Sequence, residues 1–282
     1  MSDKYASWEE AVVWLAAQPD KQELVRDCYF DSSPEEAAER YARSDEWSAI
    51  GTFLPSVPGR ALDVGAGRGI ASYALAKAGW KVVAMEPDAS KVVGRGAIQR
   101  IACSTGLPIE VVGEFGERIP CESCSFDLVF ARQVLHHARD LPALCLEAFR
   151  VLKPGGIFIA VRDHVITSPS DLSAFLQVHP LHQVYGGENA YQVDQYLHAF
   201  HAAGFHVDQM FRSFDSVINY APQTRESLRQ ECQRRLNRLP LVALAGRCLK
   251  VELILDLALA VLSRVDRRPG RLYSFVCSRP HS

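Results

Sequence analysis

The sequence predicts an α/β protein: a doubly wound, mostly parallel sheet with helices on both faces and an additional helical cap. Three observations predict it. Between residues 60 and 162, short apolar and often β-branched runs alternate with segments of helical period, the order that parallel strands joined by crossover helices require. The first run, Ala61-Leu62-Asp63-Val64, passes directly into Gly65-Ala66-Gly67-Arg68-Gly69. Glycines two apart accept positive φ and lay backbone bare where a strand hands over to a helix. The second run ends at Glu86, an acid at the carboxyl edge where open α/β sheets bind ligands. A chain of 282 residues, 48% hydrophobic, has enough apolar side chains for this core and a covering layer.

In chain order, residues 8–17 and 34–54 read as helices, the second carrying Tyr41 and Trp47 among apolar neighbours at helical spacing. They are expected to cover one sheet edge. After the glycine run come strands at 81–85, 109–112, 126–131 and 156–161, separated by helices at 70–78, 90–104 and 141–152. Lys153-Pro154-Gly155-Gly156 closes the last of these, since proline and glycine stop a helix ahead of a new strand. A helix at 193–203 and strands at 205–211 and 272–277 complete the pattern. The organisation expected is an N-terminal helical cover at 1–56, a core at 57–212, a helical cap inserted at 213–270, and a terminal strand at 271–282 that completes the core sheet.

Residues 239–262 are apolar enough to suggest a membrane span, but Arg247, Lys250, Glu252 and Asp256 interrupt them. Each such charge costs ~2.5 to 3.5 kcal/mol at a bilayer centre, so a helix packed on the core is expected, with contact to a membrane surface as the alternative. The formal net charge is −2, yet from residue 222 onward Lys and Arg outnumber Asp and Glu twelve to five. Solvated helix faces account for this excess; a basic cap over an anionic substrate is the sharper reading. A pI near 6.5 without an aromatic and basic stripe argues against nucleic acid as a partner. No apolar run follows a basic start at the N-terminus, so a cytoplasmic location is expected. Of eight cysteines only Cys121 and Cys124 stand close, and no second Cys or His pair follows at ligand spacing. Reduced thiols are expected and no metal is assigned.

The glycine spacing separates two cofactor classes. A dinucleotide fingerprint needs a third glycine three residues after Gly67, where Ile70 stands, which weakens the reading as an NAD-dependent oxidoreductase. Asp63, Gly65, Gly67 and Gly69 instead match D-x-G-x-G-x-G. Glu86-Pro87-Asp88, Ser125-Phe126-Asp127-Leu128-Val129 and Arg150-Val151-Leu152-Lys153-Pro154-Gly155-Gly156 follow in order. On these four motifs, residues 60–165 resemble the cofactor-binding half of the class I S-adenosylmethionine-dependent methyltransferases of the small-molecule type. The resemblance implies a Rossmann-like seven-stranded sheet whose last strand is antiparallel. It also implies S-adenosyl-L-methionine as cofactor and S-adenosyl-L-homocysteine as product. By the same resemblance Gly65, Ala66 and Gly67 pass under the methionine part and Glu86 accepts from the ribose hydroxyls. Asp63 orders the loop or meets the cofactor ammonium through water. Arg68, Pro87, Arg132 and Gln133 are assigned to the same pocket. The family often has an Asp after the third strand for the adenine amino group. Phe115 stands at that position here, so Phe115, Gly116 and Glu117 are expected around the purine, with Glu114 as a further acceptor.

Methyl transfer from a sulfonium is an in-line displacement in which positioning supplies much of the rate and a base assists. Candidate bases lie beyond the fourth and fifth strands, with His164 preferred and His137 second; His136 and His137 also suit a structural role. Arg162 and the run Tyr185-Gly186-Gly187-Glu188-Asn189-Ala190-Tyr191 offer hydrogen-bonding groups for a polar ligand. Arg162, Tyr185, Glu188, Asn189 and Tyr191 are therefore assigned to substrate. The expected function is methyl transfer to O or N of a polar small molecule, such as a sugar, sugar nucleotide or natural-product intermediate. An NAD-dependent oxidoreductase and a non-catalytic S-adenosylmethionine-binding protein are the alternatives.

Overall fold

A computed structural model describes residues 7–237 and 252–281. Its centre is a sheet in the order β3-β2-β1-β4-β5-β8-β7. Strands β1 (Arg60–Val64), β2 (Lys81–Met85), β3 (Ile109–Val112), β4 (Phe126–Arg132) and β5 (Leu152–Ile166) run parallel. The chain winds outward from β1 in both directions, so β1 and β4 flank the point where strand order reverses and a crevice opens at their carboxyl ends. Strand β8 (Arg271–Ser278) is antiparallel to both β5 and β7 (His206–Phe211). The path thus holds the seven strands expected, with the last in sequence antiparallel. A two-residue β6 (Tyr191–Gln192) adds an eighth, paired with β5 at Val165 and Ile166.

The central strands are apolar on both faces because both are covered. On one side Val129, Phe158 and Phe275 pack with Leu144 of α7 (Leu141–Val151) and Phe200 of α10 (Val193–Ala203). On the other, Leu128, Phe130 and Ile159 pack with Leu75 of α5 (Ile70–Lys77) and Trp47. The β5 strand extends beyond the 156–161 expected in both directions, since its edges pair with β4 on one side and β8 on the other. Residues 165–192, beyond the expected core strands, also hold α8 (Asp171–Val178) and α9 (Pro180–Val184).

The N-terminal cover has α1 (Trp8–Ala16), α2 (Gln22–Asp27), α3 (Pro34–Ala42) and α4 (Asp45–Gly51). The helix expected over 34–54 is two helices, because Ser44 Oγ accepts the Trp47 N–H at 3.1 Å and starts a new one. The helix expected at 90–104 begins later, as α6 (Arg95–Thr105). The Asp88 carbonyl accepts the Arg95 N–H at 2.8 Å, and this turn holds residues 88–94 out of the helix. After β7 come α11 (Val217–Tyr220), α12 (Arg225–Asn237) and α13 (Glu252–Val265). The apolar helix expected over 239–262 is described only from Glu252; residues 239–251, with Arg247 and Lys250, lie outside the described residues. Its described part packs Leu255 and Leu259 on Leu228, Phe214 and Tyr220 rather than on the sheet, and leaves Leu253, Leu257 and Val261 exposed. Arg225 bridges Glu252 at 2.9 Å and Asp256 at 2.6 Å, so this arginine is paired within the cap while the basic excess stands. No described helix is long and apolar enough to cross a membrane.

Candidate active site

The glycine loop leaves β1 with positive φ at Gly65, Gly67 and Gly69. A Cβ on Gly65 would lie 2.7 Å from Val134 Cγ2, so only glycine lets the loop after β4 close over the loop after β1, whereas Gly67 faces open space. Ala66 ties the loop to β2 through its N–H, 3.0 Å from the Met85 carbonyl. Glu86 accepts the Gly67 N–H at 2.8 Å and the Asp88 N–H at 2.9 Å, holding both loops with one carboxylate. Burial raises its pKa above the ordinary carboxylate value. Pro87 turns its carbonyl to Arg95, 2.9 Å away. Asp63 is enclosed and accepts from Ser72 Oγ at 2.5 Å; burial nonetheless pushes its carboxyl up to about 7.

At the outer end of the crevice Phe115 is half exposed, with the Arg139 guanidinium 5.3 Å from its ring centre. Gly116 packs so tightly on Leu144 that a Cβ would come within 2.8 Å. Glu117, expected near the purine, instead accepts the Arg139 and Asp140 N–H groups at 2.8 and 3.4 Å and holds the turn into α7. Arg68, expected in the cofactor pocket, turns outward and donates to the carbonyls of Tyr29 and of Ser32, the latter at 3.0 Å. It anchors the cover to the glycine loop. The cover also touches the crevice at Ser90, whose Oγ donates to Glu9 at 2.5 Å, and at Tyr185, whose ring lies 5.5 Å from Trp8.

A β-bulge shapes the other side. The β5–β8 register shifts between Ala160 and Asp163, and Arg162 takes φ +63. Phe158 and Ala160 face the Phe200 side and Val161 the opposite one, but beyond the bulge Val165 faces the Phe200 side. Parity is thus reversed. Arg162 is delivered to the face of Ile218, whose carbonyl it meets at 2.8 Å, while Asp163 reaches His136. Glu46 of α4 joins the two arginines, with Arg132 Nε at 2.7 Å and Arg162 Nη1 at 3.7 Å. Although burial opposes its charge, the two guanidiniums hold the Glu46 pKa below the ordinary value. Gln133, at φ +57, accepts from Arg132 Nη1 at 2.8 Å. Asp27, Tyr29, Arg132, Arg162 and Pro222 help line a charged cavity of about 800 Å³ beneath the cover.

Histidines from three segments converge on Glu188. His136 Nδ1 lies 2.8 Å from Asp163 Oδ1, and His136 Nε2 lies 3.7 Å from Glu188 Oε2. His137 Nε2 is 3.8 Å and His179 Nδ1 3.9 Å from the same carboxylate. His164 Nδ1 is 2.7 Å from the Gly270 carbonyl, which can only accept, so Nδ1 carries the proton and the lone pair of the neutral ring sits on Nε2. The His164 and His136 ring centres are 4.7 Å apart. Burial, reinforced by the neighbouring His136, drops the His164 pKa to about 3. Burial alone would lower that of His136, but the Asp163 and Glu188 carboxylates carry it up to about 9. His137 is more exposed, hydrogen-bonded through Nδ1 to the Gly187 carbonyl at 3.2 Å, and held below the usual histidine value by burial. Tyr191, assigned to substrate from sequence, is committed to the Ala138 carbonyl at 2.8 Å and steadies the loop after β4. Asn189 lies beside it.

The site residues assigned from sequence do not include Asp163, His179 or Glu46. Asp163 sits between two residues that were chosen, and only the bulge reveals its direction. His179 lies at the junction of α8 and α9 and Glu46 in α4, and neither belongs to one of the four motifs.

A family model described as a methyltransferase domain matches residues 62–160. The ubiquinone biosynthesis O-methyltransferase of Methylobacterium nodulans is 33% identical over 99 residues, 35% of this chain and 39% of that protein. The tRNA U34 carboxymethyltransferase of Alcanivorax borkumensis is 36% identical over 117 residues, 40% of this chain and 36% of that protein. The chain thus matches under two fifths of the length of each of these curated relatives. Among solved structures, the [4+2]-cyclase SpnF superposes with a TM-score of 0.57 at 20% identity, over 89% of this chain and 84% of that one. A phosphoethanolamine N-methyltransferase of Haemonchus contortus, in complex with S-adenosyl-L-methionine, gives 0.56 at 20% identity, over 83% and 52%. These structural likenesses establish the fold. Its ordered motifs, its sheet topology and the methyltransferase domain matched at residues 62–160 make this chain similar to the class I S-adenosylmethionine-dependent methyltransferases, whose cofactor is S-adenosyl-L-methionine.

Proposed function

We propose that this protein transfers the methyl group of S-adenosyl-L-methionine to an oxygen or nitrogen of a polar small molecule. The acceptor would sit between the glycine loop and the histidine-lined pocket. The carrying observation is that His137 and the Glu188 loop meet just beyond Val134, which packs on Gly65 of the glycine loop that Glu86 holds. In the reaction the acceptor atom bonds to the methyl carbon as the carbon–sulfur bond breaks. That bond's electron pair stays on sulfur, and the acceptor proton passes to a base.

His137 suits that role better than His164. Its Nδ1 is occupied by the Gly187 carbonyl, its Nε2 is accessible, and Glu188 lies near enough to stabilise the imidazolium that forms. His164 is more enclosed and packed between His136 and Phe175. Arg162 and Tyr185 are assigned to orienting the acceptor, and the hydrogen-bonding groups of His137, Glu188 and Asn189 favour a sugar, sugar nucleotide or natural-product intermediate over an apolar substrate. The likeness to a relative named an O-methyltransferase supports oxygen as the acceptor atom.

Calorimetry with S-adenosyl-L-methionine, S-adenosyl-L-homocysteine and NAD tests the cofactor side, with binding of the first two and none of NAD expected. A screen of hydroxylated acceptors for S-adenosyl-L-homocysteine release tests the reaction. With an acceptor in hand, His137→Ala should lower kcat and leave cofactor affinity intact. An unaltered kcat removes His137 as the base.

A further inference from the structure

We infer that His136, His164 and Glu188 form a binding site for a transition-metal dication of the zinc, iron and cobalt class, beside the methyl-transfer crevice. One donor atom from each lies within 4.8 Å of the others, although the residues come from the turn after β4, the end of β5 and the loop before β6.

Two imidazoles and one carboxylate are a ligand set that such ions prefer, whereas magnesium and calcium favour all-oxygen sites. Each ring is also held as a metal-binding ring usually is. Asp163 takes the Nδ1 of His136 at 2.8 Å, and the Gly270 carbonyl takes the Nδ1 of His164 at 2.7 Å, which leaves Nε2 as the ligand atom on both. The second oxygen of Asp163 is buried with no hydrogen-bond partner among the described residues, so this carboxylate is committed to orienting His136.

The spacing agrees as well. Donors about 2.0 to 2.1 Å from a tetrahedral ion stand roughly 3.4 Å apart. His136 Nε2 and Glu188 Oε2 are 3.7 Å apart, too far for a hydrogen bond and close to that edge length. His179 Nδ1, 3.9 Å from Glu188, accepts the His182 N–H at 3.4 Å and caps the helix that follows, so three protein ligands leave a fourth position open. The competing reading is a metal-free ion-pair network in which a protonated His136 bridges Asp163 and Glu188. Metal binding does not depend on the methyl-transfer reading. A role for the ion in holding an acceptor oxygen at an open position does rest on it.

The experiment strips the full chain with chelator and equilibrates it with Co²⁺ or Zn²⁺ in the absence of S-adenosyl-L-methionine. Metal content is read by mass spectrometry and the cobalt form by visible absorption. One ion per chain is expected, retained in a Cys121→Ser/Cys124→Ser double variant. Affinity should fall about 10-fold or more in His164→Ala and Glu188→Ala, and by a similar order in Asp163→Asn. Cofactor affinity, measured separately by calorimetry, reports whether each variant is folded. For the wild type, an X-ray absorption shell of nitrogen and oxygen with imidazole signatures gives a readout that needs no variant. Absence of stoichiometric binding, a thiolate sulfur in that shell, or binding unchanged in folded His164→Ala and Glu188→Ala overturns the site. Since metal content is read without cofactor or acceptor, its failure is separate from failure of the methyl-transfer proposal.

Discussion

Replacing Glu86 with alanine probes the cofactor side of the crevice through one carboxylate. In the structure it accepts two backbone N–H groups, from Gly67 at 2.8 Å and Asp88 at 2.9 Å, and so fixes the glycine loop relative to the loop after β2. The carboxylate has remaining lone pairs for the paired hydroxyls of a ribose. Hydrogen bonds to a charged group contribute about 1.5 to 3 kcal/mol each, but the Asp88 and Gly67 bonds exist without cofactor and do not count toward binding directly. What binding loses is the bonding to the diol and part of the loop's preorganisation, ~2 to 3 kcal/mol in all, or roughly 30- to 150-fold in Kd. Glu86→Gln keeps one acceptor oxygen and should fall between wild type and alanine. Calorimetric titration with S-adenosyl-L-homocysteine reads the affinity, and thermal unfolding of the unliganded variants confirms the fold. If Glu86→Ala binds within about threefold of wild type while folded, the ribose does not meet this carboxylate and the placement of the cofactor along β2 is wrong.

Three further outcomes follow from the same geometry. Because burial raises the Asp63 carboxyl to about 7 from an ordinary 3.8, the folded state binds its proton more tightly than the unfolded state does. Its stabilising contribution is full below 3.8 and lost as pH rises through about 7, so Asp63→Asn should flatten the decline in urea midpoint between pH 5 and 8. An identical decline in the variant would show that another group titrates. Glu46→Ala leaves Arg132 and Arg162 without the buried carboxylate they share, and should cost about 3 to 5 kcal/mol in urea unfolding, with Glu46→Gln milder. A loss under about 1 kcal/mol would mean that water replaces the carboxylate. Arg68→Ala should release the cover, read as faster amide exchange over residues 22–33 with the strands unchanged; equal exchange in both regions would contradict the anchoring role.

The strands around the crevice were legible because each is a short apolar run whose neighbours are set by the parallel winding rule. Asp63, the three glycines and Glu86 were legible for a related reason: a loop that must take positive φ, and an acid at a strand end, are local requirements written in adjacent residues. The long helix expected over 34–54 failed because a single serine cap at Ser44 outweighed a continuous apolar period. Arg68 looked like a cofactor contact from its place in the loop, yet the cover offered it two carbonyls. Glu117 accepts the N–H groups at the start of α7, contacts that its place in the sequence did not suggest. Phe115, expected around the purine, is half exposed at the edge of the crevice.

The search for metal ligands looked for close spacing at Cys121 and Cys124, whereas the ligands now proposed are His136, His164 and Glu188, dispersed along the chain. The sequence by itself determined the α/β class, the glycine loop and the methyl donor, since these depend on backbone freedom and periodicity over a few residues. Only the tertiary structure decided which side chains meet around His136 and around Glu46. One bulged residue at Arg162 reverses the parity of β5, sending Arg162 toward Glu46 and Asp163 toward His136, and such a register shift comes from pairing with β8 more than a hundred residues away.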